Sequence, residues 1–136
     1  MKLCTHRKFK APKNLTENQR ALVNSWKKEP HALALADESG FVIWHRIDYA
    51  PEGASCKSHL LIDLIFVKES QRKQGHGKAF LNALKGKCAA HQGLCVITDL
   101  DDAEQFFIKQ DFKQHSEHPD SIKVLIYNST TAKIEE

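Results

Sequence analysis

Between Val67 and Lys78 the chain reads Lys68-Glu69-Ser70-Gln71-Arg72-Lys73-Gln74-Gly75-His76-Gly77, a polar stretch after a long apolar run and before residues at helical spacing. A turn of this composition is suited to hold an anion. Gly75 and Gly77 let peptide N–H groups approach a phosphate with no Cβ in the way, and a helix start adds the positive end of its dipole. Arg72, Lys73 and Lys78 add full charges. Glycines alone would equally suit a solvated loop. A P-loop is excluded, because Gly77-Lys78 is followed by Ala79 and no glycine stands at position 72. A dinucleotide fingerprint fits poorly, with Phe80 where its third glycine belongs and seven residues between Val67 and Gly75, although Asp99 keeps it as a remote alternative.

Asp63 is the second chemically suggestive residue. It alone interrupts Leu60-Leu61-Ile62-Asp63-Leu64-Ile65-Phe66-Val67, and in a strand it shares a face with Ile65 and Val67. A carboxylate among apolar neighbours is costly unless it is paired or useful, so either a hydrogen bond to Arg46 or the backbone, or a role in chemistry, is expected. Of the eight histidines, His76 reads as solvated at the free position of the Gly-x-Gly turn, and His115 and His118 as loop residues. None has metal-ligand spacing. Phe80, Phe106 and Phe107 read as core, and Arg7-Lys8-Phe9-Lys10 as a solvated terminus.

The elements that must position these residues follow from periodicity. Lys2 to Phe9 reads as a short strand. Thr16 and Gln19 have capping-box spacing ahead of a helix whose apolar stripe is Leu22, Val23 and Trp26, with Lys27 and Lys28 at its negative end and Pro30 beyond. Ala32–Ala36 and Phe41–Ile47 flank Glu38-Ser39-Gly40 as a hairpin, with Gly40 expected at positive φ. The loop from Tyr49 to Ser58 carries Pro51 and Gly53. Leu60–Val67 is apolar on both faces, as a covered central strand should be. Phe80, Leu81, Leu84 and Cys88 mark a helix to about His91 with Lys78, Asn82 and Lys85 on its solvated side, and Gly93 as its stop. A strand over Leu94–Thr98, acidic capping residues Asp99 to Asp102, a short helix bearing Ala103, Phe106 and Phe107, and strands around Phe112 and over Ile122–Tyr127 complete the order. Strand, helix, hairpin, strand, helix, strand, helix, strand, strand is an α/β or α+β sheet with helices on both faces.

The chain has 136 residues, 41% apolar and 27% charged, which bounds it to one ordinary domain, 1–136. No apolar run approaches the roughly 20 residues of a membrane span, and the opening residues lack the apolar centre of a secretory signal, so a cytoplasmic protein is expected. Cys4, Cys56, Cys88 and Cys95 form no CxxC pair and read as free or buried thiols. The net charge of +3 is compatible with an anionic ligand, but the basic residues are interspersed with acidic ones, which argues against nucleic acid as a partner.

Taken together, Arg72-Lys73-Gln74-Gly75-His76-Gly77 resembles the pyrophosphate turn of the GCN5-related N-acetyltransferase (GNAT) family: Arg or Gln, two residues, Gly, one residue, then Gly or Ala. Ile65 to Gln71 resembles that family's central strand and loop. Ala103 to Phe112 resembles its late motif of Ala, two residues, apolar, Tyr, Glu, Lys, apolar, Gly, Phe. The resemblance spans the chain. It implies a mixed, mostly antiparallel sheet with a splayed parallel central strand pair, acetyl-CoA as co-substrate and no metal. It places the coenzyme on Ile65, Phe66 and Val67 through strand-like hydrogen bonds, on Arg72, Lys73, Gln74, Gly75, His76, Gly77 and Lys78 through its phosphates, and near Phe107.

The implied reaction is transfer of acetyl to a primary amine of a small molecule or protein, by direct attack in a ternary complex. Asp63 is the expected general base, with His45, Asp99 and Asp101 behind it. Phe107 stands where the family's Tyr protonates the departing thiolate, Asp111 where it has Gly, and Leu100 where an Asn often contacts the coenzyme. That departure supports an alternative, a non-catalytic acyl-CoA-binding or sensing module. A third class, a nucleic-acid binder, would show steeply salt-dependent affinity. The short span from Trp26 to Ala32 implies an open acceptor side, fit for a polyamine, an aminosugar or a protein amine, and a homodimer stays open.

Overall fold

Thr16 and Gln19 close the first helix at its start. The Thr16 hydroxyl oxygen accepts from the Gln19 N–H at 3.1 Å, and the Gln19 side-chain oxygen accepts from the Thr16 N–H at 2.9 Å. This reciprocal bond satisfies two of the donors that a helix start leaves over. The computed structural model describes residues 1–47, 58–88, 92–98, 101–117 and 123–128. Along the chain run β1 (Lys2–Thr5), α1 (Glu17–Trp26), β2 (Leu33–Asp37), β3 (Gly40–Ile47), β4 (Ser58–Val67), α2 (His76–Lys85), β5 (Gln92–Thr98), α3 (Asp101–Lys109), β6 (Lys113–Glu117) and β7 (Lys123–Asn128). A single 3-10 turn, Glu69–Gln71, follows β4. The element order is the expected one. The seven strands hydrogen-bond in the order β1-β2-β3-β4-β5-β7-β6. β1–β2, β2–β3, β5–β7 and β6–β7 pair antiparallel, and β4–β5 pair parallel.

The chain packs as two compact units, one of residues 1–46 and 62–84 and one of 47–61 and 85–136. In the first, Phe9, Trp26, Phe41 and Phe66 form an aromatic core. Phe9 meets Trp26 and Phe41 edge-on at 5.4 and 5.0 Å between ring centres, and Phe41 stacks on Phe66 at 5.4 Å. Phe9 lies in this core because β1 ends at Thr5, whose carbonyl accepts from the Lys8 and Phe9 N–H groups and turns the chain inward. β1 is therefore shorter than the Lys2 to Phe9 expected. Helix α1 buries Val23 and Trp26, whose indole N–H donates to the Trp44 carbonyl at 2.8 Å. Leu22, expected in the same stripe, is 43% exposed.

The hairpin of β2 and β3 turns at Glu38-Ser39, with Asp37 opposite Gly40. The Asp37 carboxylate accepts from the Ser39 N–H at 2.7 Å and from the Ser39 hydroxyl, the local bond that makes Asp a turn former. Gly40 is not at positive φ, as the turn reading expected. It is a strand residue whose missing side chain admits the Phe66 carbonyl, into which a Cβ would run.

In the second unit, Ser58–Leu61 of β4 pair with Gln92–Cys95 of β5, and β5 pairs with β7 over Gly93–Thr98. Cys95, Val124 and Ile126 form a buried cluster with Leu61 against it. Burial pushes the Cys95 thiol up to about 11, as expected of a structural thiol. Gly93 sits inside β5 rather than ending a helix, and a Cβ there would come within 2.8 Å of the Tyr127 carbonyl. Helix α2 ends at Lys85, not near His91, because Gly86 follows at once and glycine is costly inside a helix. Lys85, expected in solvent, donates to the Gln110 carbonyl at 2.7 Å and lies over the Tyr127 ring. The Tyr49 to Ser58 loop up to residue 57 lies outside the described residues, as do Asp99, Leu100, His118 and Ile122 and the side chains of Asp101, Asp102 and His115.

Replacing Thr16 with Ala should lower the unfolding free energy by about 1 kcal/mol through loss of the cap. Gly40→Ala should cost more, about 1–3 kcal/mol, because its Cβ meets rigid backbone. Chemical denaturation of the two variants beside the parent checks both, and a Gly40→Ala protein as stable as the parent would contradict the close approach.

Candidate active site

The polar turn between β4 and α2 is held at both ends by backbone bonds. The Lys68 N–H donates to the Ser39 carbonyl at 2.8 Å, fastening the start of the turn to the hairpin. The Arg72 guanidinium Nε donates back to the Val67 carbonyl at 3.0 Å. Lys73 and Gly75 both take left-handed φ, 64° and 82°. The Ala79 N–H bonds the Gly75 carbonyl at 3.0 Å, so Gly75 is the residue from which α2 springs. A helix beginning there leaves the N–H groups of its first turn, at His76, Gly77 and Lys78, without intrahelical acceptors and directed toward the turn. Among the described residues nothing beyond its own chain neighbours lies within 4 Å of where a Gly75 Cβ would stand, so that side of the turn is open.

Arg72, Lys73, Gln74, Gly75 and Lys78 are exposed, and His76 and Gly77 are half-buried. Left-handed backbone beside a helix start, with three cations around it, makes a concave array of donors suited to a phosphate or pyrophosphate. Gly77 already lies one residue inside α2. The left-handed Lys73 was not foreseen, because only glycine and, less often, Asn or Asp signal that conformation in a sequence.

Ile65, Phe66 and Val67 are the last three residues of β4. Phe66 faces the aromatic core, whereas Ile65 and Val67 are half-buried on the opposite face, which Asp63 shares. The Asp63 carboxylate lies 2.8 Å from Nδ1 of His45, and Nε2 of the same ring lies 3.9 Å from the Glu29 carboxylate. The side chains of Asp63 and His45 are 16% and 9% exposed and that of Glu29 is 45% exposed, so a largely buried pair meets a half-exposed carboxylate. Burial holds the Asp63 carboxyl above the ordinary carboxylate range; the hydrogen bond and charge of His45 oppose this, and the Glu29 charge adds to it.

Of the partners the sequence left open for Asp63, the structure shows neither Arg46 nor backbone among the described contacts but His45, and Arg46 meets His31 at 2.9 Å. His45 was only a secondary candidate. Its partnership depends on the register of β3 against β4, which the long segment between them conceals. The structure thus gathers the turn residues in one place and joins Asp63 to His45 and Glu29.

Phe107 belongs to the other unit. It is buried on α3, edge-on to Phe106 at 5.2 Å and to Phe112 at 5.1 Å. Its ring carries no proton to donate. Among the described residues no three His, Cys, Asp or Glu side chains group as metal ligands would, and no helix is long and apolar enough to cross a membrane.

The acetyltransferase (GNAT) domain family matches residues 15–123, most of the chain. No protein curated for function matches it by sequence. Among solved structures, an acetyltransferase from Thermus thermophilus shares the fold with a TM-score of 0.61 at 15% identity, over 84% of this chain and 75% of that one. NAA60 of Arabidopsis thaliana with acetyl-CoA gives 0.57 at 14% over 90% and 88%. An aminoglycoside 6'-N-acetyltransferase with coenzyme A gives 0.58 at 15% over 86% and 83%. The family match, the shared mixed sheet and the glycine turn at the start of α2 lead to one assignment: this chain belongs to the GNAT family of N-acetyltransferases.

Proposed function

We propose that the protein moves an acetyl group from acetyl-CoA to a primary amine of a small molecule or protein, by direct attack in a ternary complex. The observation that carries this reading is the turn from Arg72 to Lys78, with left-handed Gly75 under open space at a helix start. Acetyl-CoA, when bound, supplies the thioester carbonyl that the amine attacks. The N–H groups of the first turn of α2 and the charges of Arg72, Lys73 and Lys78 hold its phosphates, with Gln74 and His76 beside them. The backbone of Ile65 to Val67 takes its amides in strand fashion and presents an N–H to the carbonyl oxygen. That NAA60 was solved with acetyl-CoA, and the aminoglycoside enzyme with coenzyme A, supports this choice of co-substrate on a common fold.

Asp63 accepts the proton that an alkylammonium must lose before it can attack. It lies on the face of β4 shared by Ile65 and Val67, and its raised proton affinity makes it a stronger base than an ordinary carboxylate. The acceptor is an amine; an open acceptor side, with turns rather than a helix at residues 27–32, suits a polyamine, an aminosugar or a protein amine. Work in the cytoplasm accords with an acetyl-CoA co-substrate.

A second reading, an acyl-CoA-binding module without turnover, draws on Phe107 alone. A coenzyme thiolate is a tolerable leaving group, its thiol resembling that of a cysteine near 8.5, so loss of the acid slows transfer without forbidding it. Release of free thiol in the presence of an amine separates the two readings.

Calorimetric titration with acetyl-CoA should give about micromolar affinity. Changing both Gly75 and Gly77 to Val should abolish it in a protein that still unfolds cooperatively; a variant that binds as well as the parent removes the turn from the site. Asp63 is active as a base only when ionised, so kcat/KM should be present above its pKa and fall as pH drops through it, at a point above the ordinary carboxylate range. Asp63→Asn should erase that acid limb and lower kcat by about 10²–10⁴-fold with coenzyme binding intact. An unchanged pH profile in this variant would rule Asp63 out as the base.

A further inference from the structure

We propose that His45 is the positioning residue for Asp63: its Nδ1–H holds one carboxylate oxygen, leaving the other free to meet the acceptor amine. This rests on Asp63 being the base. The geometry is specific. An ionised carboxylate can only accept, so across the 2.8 Å contact the proton must stand on Nδ1 of His45 while Asp63 is charged. Nε2 is then the ring nitrogen without the proton or, in the imidazolium, a second donor, and it faces the Glu29 carboxylate at 3.9 Å.

The ring itself is fixed by the strands around it. His45 lies within β3, between Trp44 and Arg46. The Trp44 carbonyl takes the Trp26 indole N–H, and the Trp26 carbonyl takes the Glu29 N–H at 3.0 Å, so the bond network that anchors α1 also sets Glu29 near His45. Among the described residues the charged groups acting on Asp63 are His45 from β3 and Glu29 from the segment after α1. Arg46, next along the strand, is exposed and engages His31.

The alternative is that the histidine and aspartate only satisfy each other's hydrogen bonding. The two cases differ in what happens to the base when the ring is removed. A positioning ring lowers the proton affinity of Asp63 against the effect of burial, so its loss drives that affinity further up and misdirects the free oxygen.

The experiment is the kcat/KM–pH profile, with acetyl-CoA and a screened amine acceptor, of the parent, His45→Leu, His45→Asn and Asp63→Asn. In His45→Leu the acid limb should move up by about one pH unit, an approximately tenfold loss on the acid side, with acetyl-CoA affinity unchanged. His45→Asn places an N–H donor close to the position of Nδ1 and should restore the limb to near the parent's. A limb in His45→Leu that coincides with the parent's, while Asp63→Asn erases it, overturns the role of His45 and leaves Asp63 as base; a limb that survives Asp63→Asn overturns the base itself. If His45→Leu fails to fold, ¹⁵N-resolved histidine NMR of the parent at neutral pH decides: a proton on Nδ1 of His45 upholds the bond, and a bare Nδ1 overturns it.

Discussion

One close backbone approach governs the first unit. Gly40 opens β3 directly against the carbonyl of Phe66, and the next amide along β4's exit, Lys68, donates to Ser39. No side chain fits between these backbones. The consequence reaches the site, because the hairpin thereby fixes where β4 stops and where the turn must begin. With Val67 fixed, Arg72 can return its guanidinium to the strand's last carbonyl, and the chain has room for two left-handed residues before α2 starts at His76. The aromatic core beneath, from Phe9 through Phe41 to Phe66, holds the same end of β4 from its other face. Anion binding by backbone needs this rigidity, since donors that must first be ordered lose in conformational entropy what they gain in hydrogen bonding.

Asp63 presents the opposite problem, a charge where the surroundings disfavour one. Burial raises its proton affinity, and a single neutral or charged imidazole offsets part of that rise. A carboxylate left unpartnered there would hold its proton more tightly still, and one surrounded by several donors would hold it less and be the weaker base. One donor leaves the second oxygen available, and the negative charge of Glu29, nearly half-exposed, itself raises the proton affinity of Asp63.

The parts of this picture legible in sequence are those encoded locally. The capping box of Thr16 and Gln19, the apolar run of β4 and the glycine turn each occupy a few consecutive residues, and each stands where its spacing placed it. What could not be read depends on register or on distant backbone. Gly40 looked like a turn glycine because the Phe66 carbonyl that explains it lies 26 positions away. Gly93 looked like a helix stop for the same reason, while Gly86, six residues after Phe80, did the stopping. His45 could be paired with Asp63 only once β3 and β4 were aligned, and the alternative partner Arg46 differed by one residue, the shift that reverses a strand's faces.

Phe107 shows how packing and chemistry compete for one position. In the second unit its ring is one link in an aromatic series from Phe106 through Phe107 and Phe112 to Tyr127, with contacts of 5.1 to 5.8 Å. Edge-on aromatic pairs contribute about 0.5–1.5 kcal/mol each beyond their buried area, and a phenol in place of this ring would have to find a partner for its hydroxyl or lose about 1–3 kcal/mol. The position therefore serves the core of the second unit, where the Phe107 ring is buried against Phe106 and Phe112 and a hydroxyl would add a polar group that this packing does not call for.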